Sequence, residues 1–389
     1  MEVKQVYDFV NTATQEAIGE SGLIQEDLSN LVDVGDAVFN ANALDKYVKS
    51  LVNHIGKVVV VNRVYKGQAP DVLMDGWEFG SVLEKIATGL PEATENESWE
   101  LQNGASYDPN IFYKPEVVVK FYNSKVALEI PMSFGEKQVR QSFSNGAQLN
   151  AFVSMLYNSV AKSLTVKLES LIMRTINNMI GETIYADYQG GDLGATSGVK
   201  AINLLYLFKR DVDANSTLTA SDCIFDKQFI RYANYVMGIT KTRLAKMSTL
   251  FNVGGQPRFT PEDMLHVVLL NEFANASDSY LSSDTYHDEF VKLPKHEKVA
   301  YWQGSGQDYD LADTSKIYVT TSGGHEVEAS GILGVMFDHD ALGVCNQDNR
   351  VTSNYNPKAE FYTNFNKFDA QYFNDLNENF VVFFVADED

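Results

Sequence analysis

Cysteine is nearly absent: Cys223 and Cys345 are the whole complement of a 389-residue chain. Two thiols make no disulfide framework, suit a reducing compartment and read as small buried hydrophobes. Basic residues are also scarce, with 31 Lys and Arg against 52 Asp and Glu and a formal net charge of −21. A surface that acidic repels phosphate backbones, which excludes sequence-specific nucleic-acid binding by the chain as a whole. Long apolar runs are missing too. Val58 to Val61, Val267 to Leu270 and Phe380 to Ala386 are the longest, far below the ~18 residues of a membrane span. Met1 to Val10 carries charges and no apolar signal region, so no export signal is expected. The Asn-x-Ser/Thr sites at Asn96, Asn215 and Asn275 are therefore expected to stay unmodified.

Catalytic signatures are missing as well. There is no Gly-x-x-x-x-Gly-Lys-Ser/Thr loop, no His-Glu-x-x-His and no Cys-x-x-Cys. Gly304-Ser-Gly306 fails the dinucleotide pattern because Tyr309 stands at its sixth position, and it is not a nucleophile elbow. No catalytic residue, no cofactor and no metal site is assigned. Three stretches with alternative readings remain. Asp338-His339-Asp340, with His325 upstream, reads as a polar turn closing a strand, or else as a small metal cluster. Asp211 to Asp222 places oxygen ligands at loop positions 1, 3, 5 and 12 and so resembles a calcium loop. Ser216 replaces its glycine and Asp222 its glutamate, so the expectation is an interhelical loop with Thr219 or Ser221 capping the next helix. The aromatic tail from Phe361 to Phe380 has only Lys367 within it and reads as a packed strand face.

What the chain does contain is core material, 44% apolar and 12% aromatic residues. Residues 1 to 55 read as a polar arm with helical pieces, stopped by Gly56. Lys57 to Tyr65 is β-branched and reads as a strand. From 66 to 114, eight Gly and Pro residues break up any period, while acidic and aromatic side chains are scattered between. A stretch that long without a period is a functional or disordered loop. Flanked by Val58 to Tyr65 and Val117 to Ile130, it reads as a projecting two-stranded arm. Its replacement by a short turn is expected to leave the body folded. Its aromatic residues Trp77, Phe79, Trp99, Phe112 and Tyr113 are candidates for contact with another subunit.

Leu149, Phe152, Val153, Leu156, Val160, Leu164, Leu168, Leu171, Ile172, Met179 and Ile180 recur at the helical period. They predict one helix from Asn150 to Gly181, about 48 Å long at 1.5 Å per residue. Helices are expected at Lys200 to Lys209, Lys227 to Lys246 and Glu272 to Leu281. Strands are expected at His266 to Leu270, Ile317 to Thr321 and Ile332 to Phe337, and in the tail. The class is α+β, since strand and helix do not alternate as in a doubly wound sheet.

This order of parts resembles the tailed-phage major capsid proteins of the Hong Kong 97 type, and their short-tailed phi29-like group in particular. The stretches that carry the resemblance are Leu44 to Val60, Leu265 to Phe273, Phe290 to Pro294, Tyr301 to Gly306, Phe337 to Val344 and Asn377 to Phe384. The resemblance implies an N-terminal arm at 1–56, a strand and extended hairpin loop at 57–130, and the spine helix of a peripheral domain at 131–184. It further implies an axial domain at 185–340 and a closing β segment at 341–389. It implies a non-enzymatic virion protein, assembled in the host bacterial cytoplasm, that forms hexamers and pentamers of an icosahedral or prolate shell around double-stranded DNA. The implied partners are copies of itself, a scaffolding protein, a portal protein and cement or head-fibre proteins. Lys66 and Lys85 are the arm lysines open to the covalent crosslinking known in one branch. Two other readings stay open: an encapsulin-like bacterial compartment shell, and a glycan-binding or hydrolytic protein with its site in the aromatic tail.

Overall fold

The computed structural model describes residues 11–12, 14–15, 69–74, 82–91, 93, 95, 103–104, 108, 110–115, 117–135, 146–282, 294–303 and 311–387. One helix organises them. Helix α1, Gly146–Tyr188, is 43 residues long, about 65 Å at 1.5 Å per residue. Along it Val160, Leu164, Leu168, Leu171, Ile172, Ile176, Met179, Ile180 and Ile184 are buried, at the spacing of one helical stripe. The stripe includes two hydroxyls, and both are satisfied locally. Thr175 and Thr183 donate to the carbonyls of Leu171 and Met179, each at 2.8 Å. Leu164 is buried as its spacing predicts; the side chain of Leu156 lies outside the described residues.

The helix runs past Gly181, the end that the sequence predicts, and continues to Tyr188. At Gly181 the reason is steric: a Cβ there would sit 2.2 Å from Cγ2 of Val319. The glycine keeps the helix and lets a hairpin pack directly on its backbone.

Two sheets pack against α1. The first has four strands in the order β1 (Leu73–Met74), β11 (Leu342–Asn356), β12 (Phe361–Asn374), β4 (Lys125–Gly135). The second has five, in the order β5 (Ala201–Asn203), β13 (Phe380–Phe384), β10 (Ile332–Asp338), β6 (Leu265–Leu270), β7 (Glu297–Val299). Its central strands β10 and β13 are buried along their whole lengths, as expected of strands covered on both faces. A separate ribbon pairs β2 (Leu83–Thr88) with β3 (Val117–Tyr122), and the hairpin on α1 pairs β8 (Ile317–Thr320) with β9 (Glu326–Ala329).

Helices α2 (Leu204–Asp211), α3 (Lys227–Leu244) and α4 (Asn271–Ser282) complete the body. Buried Asn203 caps α2 by accepting from the amides of Leu205 and Tyr206. Asp226 caps α3 by accepting from the Phe229 amide at 2.7 Å. The cap is neither Thr219 nor Ser221, because the 3-10 turn Cys223–Phe225 intervenes.

Three further expectations change. Val117 to Ile130 is two strands, β3 and β4, divided at Asn123 and Ser124. The described partner of β3 is β2, inside the stretch read as loop; Val58 to Tyr65 lies outside the described residues. The 66–114 stretch also begins within the body. Val72 is 2% exposed, Leu73–Met74 pairs with Val344 and Cys345 of β11, and the Val344 amide donates to the Val72 carbonyl. Replacing the whole stretch would remove a core edge strand, so the dispensable part is shorter. Both cysteines are buried thiols outside any disulfide, and burial pushes the Cys223 thiol up to about 12.

The stripe on α1 yields a direct test. Leu164→Asp buries an unpaired charge and should cost more than about 3 kcal/mol. Val166→Asp, on the exposed side of the same turn, should stay within about 1 kcal/mol. Thermal melts of the two variants should therefore diverge; equal melts would mean that the helix does not present this face to the core.

Candidate functional site

The ribbon is the part whose pattern departs from a folded body. Its register runs from Leu83↔Tyr122 to Thr88↔Val117, so side chains alternate strictly between two faces. The face turned to the body carries Lys85 and Ala87 from β2 with Val118, Lys120 and Tyr122 from β3, and its side chains are half-buried. The face turned away carries Ile86, Val117, Val119 and Phe121, continued by Val82 and Leu90, with Glu84 and Thr88 among them, and all are exposed. Ile86 is 65% and Phe121 64% exposed. Cations point inward and hydrocarbon points outward, the reverse of an ordinary sheet face.

The inward face holds because Lys85 and Lys120, opposite each other in register, share one carboxylate. Like charges so placed repel. Asp375, with its side chain 4% exposed, lies 2.9 Å from Lys85 Nζ and 3.3 Å from Lys120 Nζ. Lys85 Nζ also donates to the Asp340 carbonyl at 2.9 Å and to Glu378 at 3.4 Å. Arg258 meets Glu378 from the other side at 3.3 Å. Aromatic packing completes the anchor: Lys85 lies 5.8 Å from the Phe373 ring centre and Tyr122 5.3 Å from it. A cleft of about 380 Å³ opens beneath the ribbon, between these charges.

The two carboxylates differ. Burial alone would raise Asp375, but hydrogen bonding and charge from Lys85, with the Asn377 amide, hold it below the ordinary carboxylate value. Glu378 goes the other way: burial raises it, against the pull of Lys85 and Arg258. Asp375 is thus the anion that the fold requires.

Of the residues that the sequence suggests for subunit contact, Trp77, Phe79 and Trp99 lie outside the described residues. Phe112 and Tyr113 are 84% and 81% exposed, beside exposed Ile111, and the anchor does not gather them in. Lys85 serves as the anchor; Lys66 lies outside the described residues. Lys120, Arg258, Asp375 and Glu378 carry no signal in the sequence, because only the tertiary fold brings them together.

The other candidates resolve locally. Asp211 pairs with Arg210 and accepts from the Tyr232 hydroxyl. Asp213 accepts from the Asn215 amide and Asp222 from the Thr219 hydroxyl. Asp338-His339-Asp340 is a tight turn, with the Asp340 amide donating to Asp338 Oδ1 at 2.9 Å. His339 meets His266, whereas His325 stacks on Tyr185, centroid to centroid 4.4 Å. Among the described residues no group of three or more His, Cys, Asp or Glu is placed to hold a metal, and no helix is long and apolar enough to cross a membrane. In the aromatic tail Tyr362, Phe368, Phe373 and Phe380 are buried.

Comparison with known proteins gives a family and a fold. The family model described as Phi29-like phage major capsid protein matches residues 10–384. Among solved structures, the chain is similar to one in the capsid structure of Staphylococcus phage Andhra. They are 10% identical, with 81% of this chain and 83% of that chain covered, at a TM-score of 0.50. A structure of head fiber and inner core protein gp22 of native bacteriophage P68 matches at 11% identity, 80% and 83% coverage and a TM-score of 0.49. No curated protein matches the chain. The Andhra likeness shows a shared mixed helix-and-sheet fold.

The anchor generates a pair of expectations. Asp375→Asn leaves two lysines facing each other and should cost about 2–3 kcal/mol at neutral pH. Because its folded value is depressed, the Asp375 contribution is complete above about pH 4 and is lost as the pH falls through that depressed value. Glu378, raised in the fold, binds its proton more readily there than in the unfolded chain, so Glu378→Gln should cost less than about 1 kcal/mol. Denaturant titrations of both variants at pH 7 check the difference, and equal losses would refute the unequal roles.

Proposed function

Because the chain belongs to the Phi29-like phage major capsid protein family, whose role is to form the capsid shell, we propose that it does so through the ribbon. The single observation that carries this reading is the outward apolar face of Val82, Ile86, Leu90, Val117, Val119 and Phe121. Soluble monomers rarely leave such a face bare, and bare ones mark interaction sites. Self-association buries it against an adjacent copy. Further along the same arm, Phe112 and Tyr113, with Trp77, Phe79 and Trp99, extend the contact.

In this reading the fold is of the Hong Kong 97 type, with the arm, hairpin, spine, axial and closing segments divided as the sequence resemblance implies. Copies gather as hexamers and pentamers around double-stranded DNA, with scaffolding, portal and accessory head proteins as partners. Assembly takes place in the host cytoplasm. The protein acts by geometry and not by catalysis. Its charge of −21 keeps the inner wall from adhering to packed phosphate.

Exposed positions tolerate substitution in the subunit, typically within about 0.5 kcal/mol. Phe121→Asp should therefore give a folded subunit by circular dichroism but no closed shells by negative-stain microscopy. Replacing residues 91–115 with a short Gly-Ser turn, which spares β1, β2 and β3, should do the same. Closed shells of normal size from both variants would refute the ribbon contact, whereas an unfolded chain would show that the arm belongs to the core.

A further inference from the structure

His266 and His339 form a pair with no part in the anchor's ion pairs, yet they are one turn away from it. His266 Nε2 and His339 Nδ1 are 3.0 Å apart. The ring centres are 5.2 Å apart and the planes 23° from parallel, so the rings meet edge to edge and not face to face. At that distance one nitrogen donates and the other accepts. The arrangement holds with neutral rings or with one added proton. With a proton on every ring nitrogen, two N–H groups and two positive charges would face each other across 3.0 Å.

His266 is held within the sheet. It lies on β6, in register with Phe337 of β10, and stacks on the Phe337 ring at 5.5 Å, which in turn stacks on Phe380 at 5.4 Å. His339 sits in the turn between β10 and β11, held by its amide donating to the Met264 carbonyl at 2.8 Å. The turn carries the other ring, and the same turn holds the ribbon. The Asp340 carbonyl accepts from Lys85 Nζ. The Ala341 carbonyl accepts from the amide of Asp375 at 2.7 Å, the residue between the two ribbon lysines.

We propose that the His266–His339 pair is an acid-sensing latch: protonation of both rings pushes His339 and its turn away from β6 and loosens the hold on Lys85 and the ribbon. The charged groups around the pair are Glu297 of β7, Asp71 ahead of β1, Asp338 at the end of β10 and Asp340 in the turn. Beyond the turn lie Lys85 and Lys120 of the ribbon, with Arg258, Asp375 and Glu378. Burial, then His339, holds His266 below the ordinary imidazole value, while Glu297, Asp71 and Asp338 pull weakly the other way. The sign follows. Burial favours the neutral His266 ring, and with that ring neutral the latch is closed. As the pH falls, His266 takes up its proton only below the ordinary imidazole value, and the fold resists until the turn gives way. A two-stranded ribbon is marginal on its own, so a loosened anchor appears as fraying of β2 and β3. The inference rests on the turn and the anchor alone, and it holds whether or not the ribbon's outer face meets another copy.

Hydrogen exchange on the full-length subunit, corrected for the intrinsic pH dependence of exchange, tests it. Amides of Leu83–Thr88 and Val117–Tyr122 should lose protection at least about fivefold between pH 7 and pH 5, with a midpoint below the ordinary imidazole value. In His339→Gln the amide side chain can pair with His266 without a second charge, so protection at pH 7 should persist and the step should vanish. His266→Gln should behave alike and decides the matter if the first variant does not fold. Absence of the step in the wild-type chain overturns the proposal. So does its survival in the glutamine variants, and a midpoint below pH 5 that survives in them assigns the response to Asp375 and Glu378 instead.

Discussion

The architecture turns on one buried carboxylate at a crossing point. The chain passes from the five-stranded to the four-stranded sheet between β10 and β11, and returns between β12 and β13. The two crossings are tied together, Asp375 amide to Ala341 carbonyl and Asp338 amide to Asn379 carbonyl. Asp375 therefore lies where both sheets, both crossings and the ribbon meet. Two opposed lysines on one ribbon face would be a fault anywhere else. Here they are drawn to a largely buried anion whose cost of desolvation they offset. With its cations used inward, the ribbon is left to show hydrocarbon outward. A surface of the kind used for binding thus follows from a demand of the interior.

What the sequence made legible was what repeats locally. The stripe on α1 is legible because leucine and isoleucine recur at the helical period for several turns, and β6, β8 and β10 because their apolar runs are short and β-branched. Strand β2 was hidden. Leu83-Glu-Lys-Ile-Ala-Thr88 has little β propensity and sits among glycines and prolines, so its strand character comes from β3 and the anchor. Strand β11 was hidden because Asn346, Asp348, Asn349, Ser353, Asn354 and Asn356 recur along it, residues that favour loops. It is a strand because β12 pairs with it over its full length.

The anchor was illegible for a different reason. Lys85 and Glu378 are 293 residues apart, and no local period links them. His266 is likewise 73 residues from His339. His339 stands out in the sequence only as part of a polar turn or a small metal cluster, and its neighbour His266 comes from another strand. The aromatic tail was readable because burial of alternate aromatic residues leaves a mark within a single strand, whereas a charge cluster leaves none.

The outward face of the ribbon also has a colloidal consequence. Each subunit carries sticky hydrocarbon on a particle with a net charge of −21. Short-range attraction and longer-range repulsion then compete, and the repulsion reaches only ~8 Å at physiological ionic strength. Glu84, within the apolar face and opposite Phe121, sets a negative charge among those side chains. Subunits of this kind remain dispersed while dilute and condense above a threshold that falls as salt rises.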